Sequence, residues 1–96
     1  MELNKLSTSF FAVTPTITVS PTDTPVMAGG TVSLNCSALG SPPPTIQWFR
    51  GSEQVGEGRG LTLTEVAESD AGTYTCMAIN SAGSVTSSAQ VTVFGT

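Results

Sequence analysis

Cys36 and Cys76, the only two cysteines, each fall on the apolar side of an alternating segment. From Thr31 to Ala38, the side chains of Val32, Leu34, Cys36 and Ala38 share one face. Thr31, Ser33, Asn35 and Ser37 share the other. From Thr73 to Ile79, Tyr74, Cys76 and Ala78 point the same way. A period of two marks a strand with one buried face. Both cysteines are therefore expected inside a core built from strands. Two separate buried thiols and a bridged pair both satisfy this pattern, because free cysteine is itself among the most buried residue types.

The remaining segments carry the same period. Pro15-Thr-Ile-Thr-Val-Ser-Pro21 alternates, with Ile17 and Val19 on one side. Its bracketing prolines suit an edge strand. Val26 to Gly30 ends in a turn signal, and Gly40-Ser-Pro-Pro-Pro44 interrupts the chain after Leu39. Thr45 to Arg50 places Ile46 and Trp48 on one face, with Gln47 and Phe49 on the other. Gly51 to Gly60 is polar and glycine-rich, with room for a short strand around Gln54 and Val55. Leu61 to Thr64 alternates, Val66 to Gly72 is a corner, and Asn80-Ser-Ala-Gly83 is a hairpin turn. Val85, Ser87, Ala89, Val91 and Val93 line one face of a long last strand. About seven short strands without a helix predict an antiparallel sandwich or barrel.

Ninety-six residues suit one domain, placed at residues 15–96. Residues 1–14 read as a flexible leader or linker. Leu6 to Val13, behind Lys5, is too short and too rich in Ser and Thr for a secretory signal. The net charge is −4, and the basic residues are Lys5, Arg50 and Arg59 alone. So few cations cannot neutralise a run of phosphates, so nucleic acid is not expected as a partner. No apolar run is long enough to span a bilayer, and direct membrane insertion of this domain is not expected.

Cys36, Gly40-Ser-Pro-Pro-Pro-Thr-Ile-Gln-Trp48, Leu61-Thr-Leu63, Asp70-Ala-Gly-Thr-Tyr-Thr-Cys76 and Ala78-Ile-Asn80-Ser-Ala-Gly83 succeed one another along the chain. Together they resemble an immunoglobulin domain of the I-set/C2-set group, over about residues 15 to 95. The resemblance implies an all-β, immunoglobulin-like sandwich of two antiparallel sheets, A-B-E and G-F-C-C′. It implies a Cys36–Cys76 disulfide between the sheets, covered by Trp48. It places Leu63 in the core and returns the Tyr74 hydroxyl to the backbone near Asp70. Asp70 and Gly72 would shape that corner, and Asn80 and Gly83 the hairpin. The bridge would close a loop of about 40 residues, worth about 4 kcal/mol in the chain-entropy model. Only twelve residues separate Trp48 from Leu61. That interval holds one short strand, so the D strand is expected to be short or absent.

The chain contains no histidine, so the usual general base and the commonest metal ligand are both missing. No phosphate-binding glycine loop is present. The carboxylates Glu65, Glu68 and Asp70 read as a solvated acidic corner, because their spacing matches no calcium loop. The expectation is a non-catalytic domain with no cofactor and no metal. Asn35-Cys36-Ser37 is a formal N-glycosylation acceptor whose asparagine faces outward. Phe49, Met77 and Ile79 also face outward, with Val55 nearby, and form the candidate surface for a partner protein. That partner could be a second copy of the same domain. Domains of this family serve in adhesion molecules, receptor ectodomains and matrix proteins. An extracellular recognition module is therefore expected. The competing reading is a structural spacer in a multidomain chain, including the filament proteins inside muscle.

Overall fold

The structure, a computed structural model, describes residues 12–95. Residues 1–11, the greater part of the expected leader, lie outside the described residues. The described chain forms strands β1 (Val13–Val19), β2 (Thr24–Met27), β3 (Val32–Asn35), β4 (Ser37–Ser41), β5 (Thr45–Arg50), β6 (Glu53–Glu57), β7 (Gly60–Leu63), β8 (Gly72–Asn80) and β9 (Gly83–Phe94). One turn of 3-10 helix, Glu68–Asp70, precedes β8.

The strands form two layers. In the first, β1 pairs with β4 and β3 with β7, all antiparallel. β3 and β4 are successive halves of one strand that changes neighbour at Cys36. The Cys36 amide donates to the Arg59 carbonyl at 2.8 Å, which carries the pairing with β7 up to that point. The second layer has five strands in the order β2-β9-β8-β5-β6. In family lettering these layers are A-B-E and A′-G-F-C-C′, an immunoglobulin-like sandwich. Only Gly58 and Arg59 lie between β6 and β7. No D strand fits there, as the short Trp48-to-Leu61 interval requires.

Two features depart from the sequence expectation. The sequence pattern marks Val26 to Gly30 only as leading into a turn, yet β2 pairs in parallel with the end of β9, Thr24 beside Val91 and Met27 beside Phe94. Asp23 helps to hold this junction, because its carboxylate accepts the Gln90 amide at 2.9 Å. Ile17 and Val19 were placed on one face. Ile17 does pack on the core, but the β1–β4 register shifts between Ile17 and Val19. Such an irregularity reverses the facing of the residues beyond it. Val19 consequently sits beside the outward Ser37 and is 46% exposed.

The core lies between the layers. Val32, Leu34 and Cys36 from the first layer meet Ile46, Trp48, Tyr74, Cys76, Ala78, Ala89 and Val91 from the second, with Leu61 and Val66 closing the lower side. Leu63, Val26, Val85 and Val93 pack partly buried around it. The glycine at position 56 has a steric cause. It stands opposite Trp48 in the ladder, where an added Cβ would lie 2.7 Å from Leu61 Cδ1. Overfilling a packed site costs about 1–3 kcal/mol. Gly56→Ala is therefore expected to lower stability by about that amount, read from urea denaturation with the disulfide intact.

Candidate functional site

Cys36 and Cys76 are bonded to each other, 40 residues apart in sequence, and both are fully buried. The bond joins β3/β4 to β8 and so links the two layers. Trp48 stands directly opposite Cys76 on β5 and is 0% exposed. Its indole N–H would be stranded in such a site. It donates instead to the Gly58 carbonyl at 2.8 Å, and the Gly58 amide donates back to the Ile46 carbonyl at 2.8 Å. The loop after β6 is thus tied to the ring that fills the core.

The corner before β8 is built on Tyr74. Its hydroxyl donates to the Asp70 carbonyl at 2.6 Å. The Asp70 carboxylate accepts the Ala67 amide at 2.8 Å and closes the 3-10 turn. Arg50, which the sequence did not single out, completes the corner. Its guanidinium donates to the Ser69 carbonyl at 2.7 Å and to the Tyr74 hydroxyl at 3.3 Å, and lies 6.0 Å from the centre of the tyrosine ring. The hydrogen bond to Tyr74 raises the Arg50 pKa above its ordinary value. No local sequence pattern marks this contact, because Arg50 meets Tyr74 only through the pairing of β5 with β8.

At the opposite pole Asn80 does more than shape a hairpin. Its side-chain oxygen accepts the amides of Ala82 at 2.8 Å and Gly83 at 3.1 Å. Its amide nitrogen donates to the carbonyls of Val13 at 2.7 Å and Pro42 at 2.9 Å. One side chain therefore holds the start of β1, the proline loop and the β8–β9 hairpin together. Gly40 leaves room for it, since an added Cβ would lie 3.0 Å from the Asn80 nitrogen.

These groups are structural. Chemistry that could engage another molecule lies on the outward faces. Phe49, Met77 and Ile79 point away from the core on β5 and β8, each half-buried by its neighbours. Phe49 pairs with Thr75, Met77 with Gln47 and Thr86, and Ile79 with Thr45 and Ser84. They form a diagonal apolar stripe in a field of Thr, Ser and Gln. Val55, 36% exposed, is the extra residue where the β5–β6 register shifts. On β6, Glu57 and Gln54 stand opposite the outward Gln47 and Phe49 and share this face, whereas Glu53 stands opposite Arg50 and shares the side of Tyr74. Asn35 is exposed on the other layer. No group of three His, Cys, Asp or Glu side chains gathers among the described residues. One shallow depression is lined by Pro44, Thr45, Ile46, Glu57, Gly58 and Arg59.

A family model described as "Immunoglobulin domain" matches residues 14–80. The chain belongs to the immunoglobulin domain family. The match starts just after the first residue of β1 and ends with β8. Mouse peroxidasin homolog is 39% identical over 88 residues, which cover 82% of this chain and 6% of the relative. Human receptor-type tyrosine-protein phosphatase F is 40% identical over 88 residues, 84% of this chain and 4% of that protein. Mouse hemicentin-2 is 38% identical over 101 residues, 97% of this chain and 2% of the relative. The immunoglobulin domain thus spans a small fraction of the curated relatives it matches. Among solved structures, the first five immunoglobulin domains of Sidekick-1 align with a TM-score of 0.81 at 37% identity, over 86% of this chain and 20% of that one. Titin domain M7 aligns with a TM-score of 0.81 at 29% identity, over 88% of this chain and 97% of that domain.

Removing the Asn80 side chain leaves two hairpin amides without their acceptor. Asn80→Ala is expected to cost about 1–3 kcal/mol, the penalty for losing such partners. Amide hydrogen exchange should quicken first at Ala82 and Gly83, ahead of the amides around Cys36.

Proposed function

We propose that this immunoglobulin domain is a non-catalytic, extracellular recognition module within a longer chain. It binds a partner protein through the outward face of β5, β6 and β8. The observation that carries this reading is the Phe49–Met77–Ile79 stripe. Three large apolar side chains, each half-buried, stand on the face of β5 and β8 turned away from the core. Glu57, opposite Gln47, adds a carboxylate at the β6 edge of that face. A surface with an apolar centre flanked by Lys or Arg would complement it. The compartment reading draws on the disulfide, which suits an oxidising environment.

The spacer reading has its own supporting observation. Met27 and Phe94, 64% and 49% exposed, lie side by side at the end of the β2–β9 pairing. Beside them is a depression lined by Ala28, Val66, Ala67, Glu68, Ser69 and Gly95. A neighbouring domain seated there would cover both side chains.

The test is binding of the purified domain to an array of purified ectodomains and secreted proteins. The Phe49→Ser/Met77→Ser variant should stay folded with its disulfide intact and lose its partner. Phe94→Ser should keep both. Binding indifferent to Phe49 and Met77 defeats the assignment of the face. Sedimentation across a concentration series should show a monomer or a weak dimer at micromolar protein. A dimer dissolved by the same substitutions makes the partner a second copy.

A further inference from the structure

The outer face of the first layer poses a separate problem. Leu39, 68% exposed, stands on β4 beside Thr16, and Val19 stands beside Ser37. Neither contributes to the core. Both are large apolar side chains on the outside of a layer whose edge strand, β1, is open to other chains. Such edges invite association unless something blocks them.

The same face carries Asn35. Asn35, Ser37 and Leu39 alternate with the inward Leu34, Cys36 and Ala38. They form a row spaced at about 7 Å, with Val19 about 5 Å to the side of Ser37. Asn35 is exposed, and its partner across the ladder is Gly60. A side chain at position 60 would begin 3.7 Å from the Asn35 oxygen, but glycine leaves that space open. The Asn35 amide therefore faces solvent with an empty position at Gly60 on one flank, and Ser37 separates it from Val19 and Leu39 farther along the same face. Asn35-Cys36-Ser37 is the one Asn-X-Ser/Thr triplet in the chain.

We propose that Asn35 carries an N-linked glycan that lies over the outer face of the first layer and shields Val19 and Leu39. The proposal rests on the extracellular reading above, since the modification belongs to the secretory route. The co-reactant is an oligosaccharide joined to a lipid pyrophosphate. The Asn35 amide nitrogen forms a bond to the anomeric carbon as the bond from that carbon to the pyrophosphate oxygen breaks. The lipid pyrophosphate leaves with the electron pair, and the amide gives up one proton. The buried disulfide beside the acceptor is no obstacle to this order of events. Cys36 cannot close its bond until Cys76, 40 residues later, has followed it. The acceptor is thus presented on an extended, unpaired chain before β3 meets β7. With the glycan on the first layer, the outward face of β5, β6 and β8 on the second stays open to a partner.

The experiment is secretion of the chain from eukaryotic cells behind an appended signal sequence. Intact mass is measured before and after treatment with an amidase that removes N-glycans. The wild type should lose mass on treatment, with Asn35 converted to aspartate. Ser37→Thr should be modified as fully, whereas Asn35→Gln and Ser37→Ala should show no change. The Asn35→Gln protein should bind more of an apolar fluorescent dye than the wild type, and adding Leu39→Ser should reverse the gain. A secreted, disulfide-bonded wild type of unmodified mass overturns the glycan and leaves the recognition reading standing. A chain retained without its disulfide overturns both. Modification without a change in dye binding overturns the shielding.

Discussion

The Cys36–Cys76 bond, with Trp48 packed against it, is the contact on which the other parts of the sandwich are arranged. It joins the central strand of the first layer to the central strand of the second. Trp48 lies opposite Cys76 and opposite Gly56, so one indole spans the sulfur on one side and an empty position on the other. A domain of this size encloses a limited apolar core, and a covalent tie between its layers offsets part of that deficit. The indole N–H then recruits the Gly58 carbonyl, which carries the chain from β6 straight into β7. The missing D strand is a consequence of this short crossing.

Polar groups at the two poles do what the core cannot. Tyr74, Arg50 and Asp70 close the corner before β8, and Asn80 gathers three backbone segments at the far end. Each places a side-chain donor or acceptor against backbone groups that would otherwise lack partners in partly buried loops. No buried side-chain nitrogen or oxygen among the described residues is left unpaired. The inward faces and both corners are thus committed to holding the fold. The outward faces are the ones left for other molecules, and these differ in character. The second layer presents a half-buried apolar stripe with Glu57 at its edge, and the first presents Asn35 on the same face as the exposed Val19 and Leu39.

The alternation of apolar and polar residues reported the facing of β3, β5, β8 and β9 correctly. Each of these strands has one buried face, and a one-residue slip would expose its whole apolar set. The same rule failed at Val19, where a register irregularity broke the period that the rule assumes. It also gave no warning of β2. That strand owes its existence to Val91–Phe94, nearly seventy residues away, and its own four residues carry no distinctive pattern. Phe49, Met77 and Ile79 were legible as outward residues. Their degree of exposure was not, because it depends on the Thr, Gln and Ser side chains brought alongside them by β5–β8 and β8–β9 pairing.

The sequence by itself determined the class of this protein. Two cysteines on apolar faces, a tryptophan twelve residues after the first and a tyrosine two before the second specify a two-layered sandwich of the immunoglobulin family. The short Trp48-to-Leu61 interval specifies the crossing without a D strand. These are local facts of spacing and period, and one buried face per strand is enough to enforce them. Only the tertiary structure decided which surfaces remain for other molecules. It turned Val19 outward, paired Met27 with Phe94, set Arg50 on Tyr74 and opened the space over Gly60 beside Asn35. Each of these depends on register between strands far apart in the chain, and register is set when the layers close on their common core.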